Sequence, residues 1–245
     1  MSCPICEKRP PKRFCPAKGE KICSVCCGRE RESTIDCPSD CSYLIAAHRY
    51  EAEHRTPLSA ADLPYPKVDF SMEFVYQRWP IVSGLANAII SVEDKRKELN
   101  DGDVLAALEA AAETHRTLET GILYERPPDA PGARTVYSDL AEFLGSIKKQ
   151  AVEQTGFSTI KDSEILRLLV FLLRVGKQQT NGRPRSRAFL GFLRSRFPRP
   201  TGAAASSSRS IPVAPTLKIV TGEQIYVKSA LTSERAFYFF IAVDD

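Results

Sequence analysis

The sequence predicts a mainly α-helical protein: an antiparallel helical bundle preceded by a small N-terminal zinc-binding module and followed by a short C-terminal tail with some strand character. Three observations carry this expectation. All eight cysteines lie in the first 41 of 245 residues. Between about residue 71 and residue 198 apolar residues recur at steps of three and four, the period of a helix with one buried face. The breaks between those stretches fall on "ERPPDAPG", "TNGRP" and "FPRP", runs that end helices. No long run alternates with the period of a strand.

The module occupies residues 1–55. Its cysteines are Cys3, Cys6, Cys15, Cys23, Cys26, Cys27, Cys37 and Cys41, and they include two C-x2-C pairs. A C-x2-C turn folds back on itself and delivers two thiolates to one tetrahedral ion. Cys3, Cys6, Cys23 and Cys26 therefore make a first four-cysteine site. Cys15, Cys27, Cys37 and Cys41 are the remaining four and make a second, so that the two sites interleave and the adjacent Cys26 and Cys27 serve different ions. His48 is an alternative ligand for the second site, although it lies about 10 Å of helix rise beyond Cys41. Two closed sites leave no open coordination position, which points to two structural zinc ions rather than catalytic ones. A disulfide scaffold is disfavoured because no positively charged region leads into an apolar stretch at the N-terminus, and a cytoplasmic, reducing location is expected.

Residues 40–42 mark a helix start that ends the module, and the Pro-containing connector "TPLSAADLPYPKVDF" that follows is expected to be extended. The helical region, residues 62–198, divides into segments 71–99 (interrupted near Pro80), 103–123, 132–152, 163–176 and 184–197. In the second segment Val104, Leu108, Ala111, His115, Leu118 and Ile122 form one stripe. In the third, Val136, Leu140, Phe143, Leu144 and Ile147 do the same. "ILRLLVFLLRV" is apolar nearly all round, as a helix covered by its neighbours would be, and Asp162 can cap it. Residues 199–216 read as a flexible linker and residues 217–245 as a short apolar tail that can hold strands.

The string "RFCPAKGEKICSVCCGRE" resembles the B-box class of cross-braced zinc fingers and, more loosely, the HIT and MYND fingers. That resemblance implies two zinc ions and a role in protein contacts. It departs from the B-box pattern where Lys18 stands in a ligand position, with Cys27 able to compensate, and where Cys37 and Cys41 replace a histidine pair. The order of a cysteine-rich N-terminus and a helical domain is also similar to that of bacterial zinc-finger/helical proteins.

Signatures of catalysis are missing: the chain has no P-loop, no G-x-G-x-x-G, no G-x-S-x-G and no H-E-x-x-H. His115 reads as a packed core residue, Glu51 and His54 form a lone pair without the partners a di-iron site needs, and Glu109, Glu113 and Glu119 read as a solvated face. The longest apolar runs, "LLVFLL" and "AFYFFIAV", fall well short of the roughly 18 residues of a membrane-spanning helix. Net charge is only +4, but it is uneven, with 10 Lys and Arg against 16 Asp and Glu over residues 61–160 and 10 against 2 over residues 161–199. Arg183, Arg185, Arg187, Arg194 and Arg196 are the candidate phosphate-binding residues in that basic stretch. The expected function is that of a non-enzymatic, zinc-binding interaction or adaptor module. It would present Phe14, Ile22, Val25 and the helix near Tyr43 and Tyr50 to another protein, with no membrane and no small-molecule substrate. The alternative is nucleic-acid association through the arginines of segment 183–199.

Overall fold

The computed structural model describes residues 2–119, 121, 124–156 and 160–197. The expected linker 199–216, the tail 217–245 and the helix end at Ile122 and Leu123 lie outside them. All the described residues belong to one compact unit, Met1–Ala204. In chain order they form β1 (Arg13–Cys15), β2 (Glu20–Ile22), α1 (Ser24–Glu30), α2 (Ser42–Glu53), a turn of 3-10 helix (Ala60–Asp62), α3 (Met72–Gln77), α4 (Trp79–Lys95), α5 (Asp101–Glu119), α6 (Pro131–Thr155), α7 (Asp162–Gln179) and α8 (Ala188–Arg196). The protein is thus mainly helical with a small cysteine-rich N-terminus.

The bundle is built around α5, which packs on both α6 and α7, while α4 packs on α6. Val104, Leu108, Ala111 and His115 of the α5 stripe are buried, as are Val136, Leu140, Leu144 and Ile147 of α6. From Ile165 to Leu173 every residue of α7 except Arg167 is buried, as expected for a helix covered on all sides. Two glycines permit the closest approaches. A Cβ on Gly176 of α7 would stand 2.7 Å from Leu105 Cδ2 and 2.8 Å from Phe189 Cε1, and one on Gly84 of α4 would stand 2.0 Å from Phe143 Cζ.

The expected interruption near Pro80 and the helix start within residues 40–42 are both present, while the cap of α7 differs from expectation, each for a local reason. The segment 71–99 divides at Arg78, because Pro80 lacks an N–H and its ring would clash with a carbonyl one turn back. It is tolerated instead in the first turn of the new helix α4. At α2 the N-cap is Cys41, whose side chain makes no capping bond. At α7 the cap is the Glu164 carboxylate, which accepts from the Lys161 N–H at 3.2 Å, and Asp162 turns its side chain elsewhere.

The last helix starts at Ala188 rather than Pro184 because its N-terminal donors are taken by another element. Asp101, at the start of α5, is 1 % exposed. Its carboxylate accepts from Ser186 Oγ at 2.6 Å and from the N–H groups of Phe189 and Leu190 at 3.1 and 3.2 Å, while its own N–H donates to the Ser186 carbonyl at 2.7 Å. The connector after α2 is irregular apart from its one 3-10 turn. Arg174 of α7 donates to the carbonyls of Pro64, Tyr65 and Val68 at 3.1, 2.8 and 2.9 Å, and Gln178 accepts from the Leu58 N–H and donates to the Thr56 carbonyl.

Replacing Asp101 with Ala leaves three buried donors without an acceptor. It should lower unfolding free energy by about 3 kcal/mol, with partial recovery in Asp101→Asn, which keeps one acceptor oxygen. Urea unfolding followed by circular dichroism reads the difference, and a loss below about 0.5 kcal/mol would mean that α8 secures its own N-terminus.

Candidate metal centre

Two backbone turns and one short helix place the first four cysteines. Residues 3–9 close a knuckle in which the Cys3 N–H donates to the Arg9 carbonyl at 2.8 Å and the Glu7 N–H to the Cys3 carbonyl at 2.7 Å. The hairpin β1–β2 follows, antiparallel, with Phe14 opposite Lys21 and Cys15 opposite Glu20. Its turn is closed by Lys18 and Gly19 N–H groups on the Cys15 carbonyl, and Gly19 has φ +68°, which suits glycine. The second knuckle then runs straight into α1. Cys23 is its N-cap, with Sγ accepting from the Cys26 N–H at 3.3 Å.

The Sγ atoms of Cys3, Cys6, Cys23 and Cys26 all lie within 4.8 Å of one another. Cys6 Sγ and Cys23 Sγ are 3.9 Å apart. A tetrahedral thiolate site with metal–sulfur bonds of about 2.3 Å has edges near 3.8 Å, whereas a disulfide needs about 2.05 Å. All eight cysteines are free thiols. The four residues therefore fit a single tetrahedral metal ion.

The local electrostatics suit a cation. Burial works to raise the Cys3 thiol, but the N–H groups of Cys23, Cys6 and Ile5 outweigh it and bring it down to about 6. The Lys8 N–H leads in lowering Cys6, against its own burial. Cys26 goes the other way, pushed up to about 12 by burial and by the sulfurs of Cys23, Cys6 and Cys3 around it. A thiolate crowded among thiolates is what a bound dication stabilises.

The second set is arranged differently. Cys15, Cys27, Cys37 and Cys41 pack into the same small cluster as the first four, together with Ile22, Ile35 and Leu44. Among the described residues, however, the first four are the one group of metal-ligating side chains gathered to within 4.8 Å. Burial raises the Cys37 thiol, and the nearby Cys41 and Cys15 add to the rise against the Glu32 N–H, which lowers it. Cys27 receives the Arg13 guanidinium at 3.7 Å. Because Cys26 and Cys27 are consecutive on α1, their side chains diverge by about 100°. His48 does not turn to these sulfurs: its Nε2 lies 2.9 Å from Glu32 Oε2.

Glu32 is the residue that sequence reasoning missed. It is 1 % exposed and has φ +51°, a conformation uncommon outside glycine and asparagine. Besides His48, its carboxylate accepts from Asn181 Nδ2 at 2.8 Å and from the Arg187 N–H at 3.0 Å, and its carbonyl accepts from the Arg185 N–H at 2.9 Å. Burial alone would raise its pKa, but these donors, led by His48, hold it below the ordinary carboxylate value. No motif flags such a position, because apart from His48, 16 residues on, its partners Asn181 and Arg187 lie 149 and 155 residues away in the chain.

The basic segment is drawn into the same junction. Arg183 donates to the carbonyls of Gly28 and Arg31 at 3.1 and 2.6 Å. Arg187 donates to the carbonyls of Leu99, Cys37 and Lys97 and pairs with Asp36 at 3.2 Å. Arg194 is held by Glu93 at 2.6 Å and Asp94 at 2.5 Å. The guanidinium of Arg196 lies over the Phe192 ring, and the side chain of Arg185 is exposed.

His115 is buried and paired with Asp162 at 2.8 Å, a carboxylate shared with Lys148 at 2.6 Å, beside a cleft of about 200 Å3 lined also by Thr114 and Tyr137. His54 bonds to the Tyr50 carbonyl and stacks on its ring. No helix among the described residues is long and apolar enough to cross a membrane. Against known protein families, curated proteins and solved structures, the chain matches none, so the B-box likeness rests on cysteine spacing alone.

Burial lowers the His115 pKa against the upward pull of Asp162, so the unfolded chain takes up a proton that the folded chain resists. Stability linked to this group is complete well above the unfolded value of about 6.5 and is lost as pH falls below it. Between pH 7.5 and 5.5 the parent should therefore lose more unfolding free energy than His115→Asn, in which that proton site is absent. Equal losses in paired urea titrations would remove His115 from the pH response.

Proposed function

We propose that the protein is a non-enzymatic binding module whose N-terminal finger is folded by two structural zinc ions and offers a fixed surface to a macromolecular partner. The observation that carries this reading is the approach of the Cys3, Cys6, Cys23 and Cys26 sulfurs to within 4.8 Å. Four soft thiolates in a closed tetrahedron are the ligand set of structural zinc, and no position is left for a substrate. The module needs the metal, since among the described residues Ile22, Ile35 and Leu44 are its only buried apolar side chains besides cysteines. So few apolar groups cannot offset the ordering of some 50 residues, whereas a structural zinc supplies on the order of 10 kcal/mol.

The second ion would sit among Cys15, Cys27, Cys37 and Cys41. Cys15 comes from the hairpin, Cys27 from α1, and Cys37 and Cys41 from the two sides of the turn into α2, so binding would tie together every element of the finger. Support for a binding role comes from the exposed apolar side chains it carries, Phe14, Val25, Ile45 and Tyr50, which are 55 %, 49 %, 46 % and 62 % exposed. Ile22, by contrast, is wholly buried and contributes to the core rather than to the surface.

Elemental analysis of protein purified without chelator should give two zinc ions per chain and no thiols that react before denaturation. Cys26→Ser and Cys41→Ser should each lose one ion, from different sites. One ion in the parent would dismiss the second site, and no metal at all would dismiss the reading.

A further inference from the structure

The outer face of the hairpin carries a pattern that the metal does not require. Phe14 and Lys21 are cross-strand neighbours, and Lys12 precedes Phe14 by two residues, so the three share one face. All three are exposed, while Cys15 and Ile22 on the opposite face are buried. Lys18 stands at the turn of the same hairpin and is exposed too.

Residues 1–55 as a whole are nearly balanced, with ten Lys and Arg against eight Asp and Glu, but the positive charge gathers in their first part. Residues 2–31 hold eight Lys and Arg against three Asp and Glu, the acids being Glu7, Glu20 and Glu30. Part of that excess answers the thiolates and their neighbours. Arg13 donates to Cys27 Sγ and lies over the Tyr43 ring, and Arg29 pairs with Glu30. The hairpin lysines 12, 18 and 21 are not used in this way: none of their ammonium groups has a hydrogen-bond or ion-pair partner among the described residues. Glu20 is the one acid on the hairpin. The arginines of segment 183–199 present the reverse case, since Arg183, Arg187 and Arg194 are spent on acceptors of the same chain.

Resting on the reading of the finger as a zinc-folded binding module, we infer that its partner is a single-stranded nucleic acid, held across the hairpin with a base stacked on Phe14 and phosphates on Lys12, Lys18 and Lys21. An exposed aromatic ring set among unpaired cations on a rigid ribbon matches both chemistries of such a strand. Its bases offer π faces that stack without regard to sequence, and its phosphates need cations at the edge of the stack. A duplex would offer the ring no open base face. A peptide of Asp and Glu alone would use the lysines but has no aromatic face to place on Phe14.

Fluorescence anisotropy of the zinc-loaded full chain with a labelled 12-nucleotide oligo(dT) tests this. Binding should weaken with salt, and Phe14→Ala should reduce affinity about tenfold or more. Lys12→Gln/Lys21→Gln should flatten the slope of log K against log salt by about 1.4, roughly 0.7 for each phosphate contact. Arg185→Gln, at the exposed arginine of the other basic segment, should bind as the parent does. Zinc content and thermal unfolding matching the parent would show that each variant is folded. Equal binding of a 12-base-pair duplex, equal binding of poly-glutamate, or indifference to Phe14→Ala would overturn the inference. Absence of oligonucleotide binding by protein that retains two zinc ions would also overturn it and leave the zinc-folded module standing, whereas absence of zinc would fail that reading first.

Discussion

A single buried carboxylate, that of Glu32, joins the two halves of this chain. It lies just beyond α1, and its donors come from α2 and from the loop before α8. A carboxylate taken out of water without donors costs several kcal/mol, so this geometry persists only when all of its partners are in place. The left-handed backbone at Glu32 is held by the same partners, together with the Arg185 N–H on its carbonyl. The position of the finger, the path of residues 180–187 and the late start of α8 all follow from satisfying that one group and its counterpart Asp101.

The finger contributes geometry rather than a core. Its backbone N–H groups are aimed at sulfur: Cys23 N–H on Cys3, Cys26 N–H on Cys23, and the Lys8 and Arg9 N–H groups on Cys6. Those donors favour thiolate, and a closed four-sulfur cage favours a dication, so the same bonds that shape the knuckles prepare the site. Arg183 then grips the end of α1 from outside, through the carbonyls of Gly28 on the helix that bears Cys26 and Cys27 and of Arg31 just past it. The candidate metal cage and the contact with the bundle meet on one short helix of seven residues.

Much of this was legible in the sequence because it is local. The period of three and four marked α5 and α6, the apolar girth of "ILRLLVFLLRV" marked the covered helix α7, and the two C-x2-C pairs marked the cage. What escaped was set by partners distant in the chain. The start of α8 depends on Asp101, 88 residues from Phe189, and Glu32 depends on Asn181 and Arg187. The arginine segment illustrates the same limit. Composition shows a cluster of positive charge, but only the fold reveals that the guanidiniums of Arg183, Arg187 and Arg194 face carbonyls and carboxylates of their own chain. The short α1 and the hairpin were missed for another reason, since elements of seven and three residues carry no periodicity to read.

The strap that Arg174 and Gln178 lay across the connector has a consequence for motion. Three carbonyls on one guanidinium and a two-way amide bond fix the chain between residues 56 and 68 along α7, so the finger hangs on a short, anchored lead instead of a swinging linker. A tether of this kind gives its passenger a high effective concentration at the dock, because few residues remain free and closing so short a loop costs little entropy. Reseating of the finger is therefore an intramolecular step, favoured over capture by a second chain as long as that chain is more dilute than the effective concentration the tether sets.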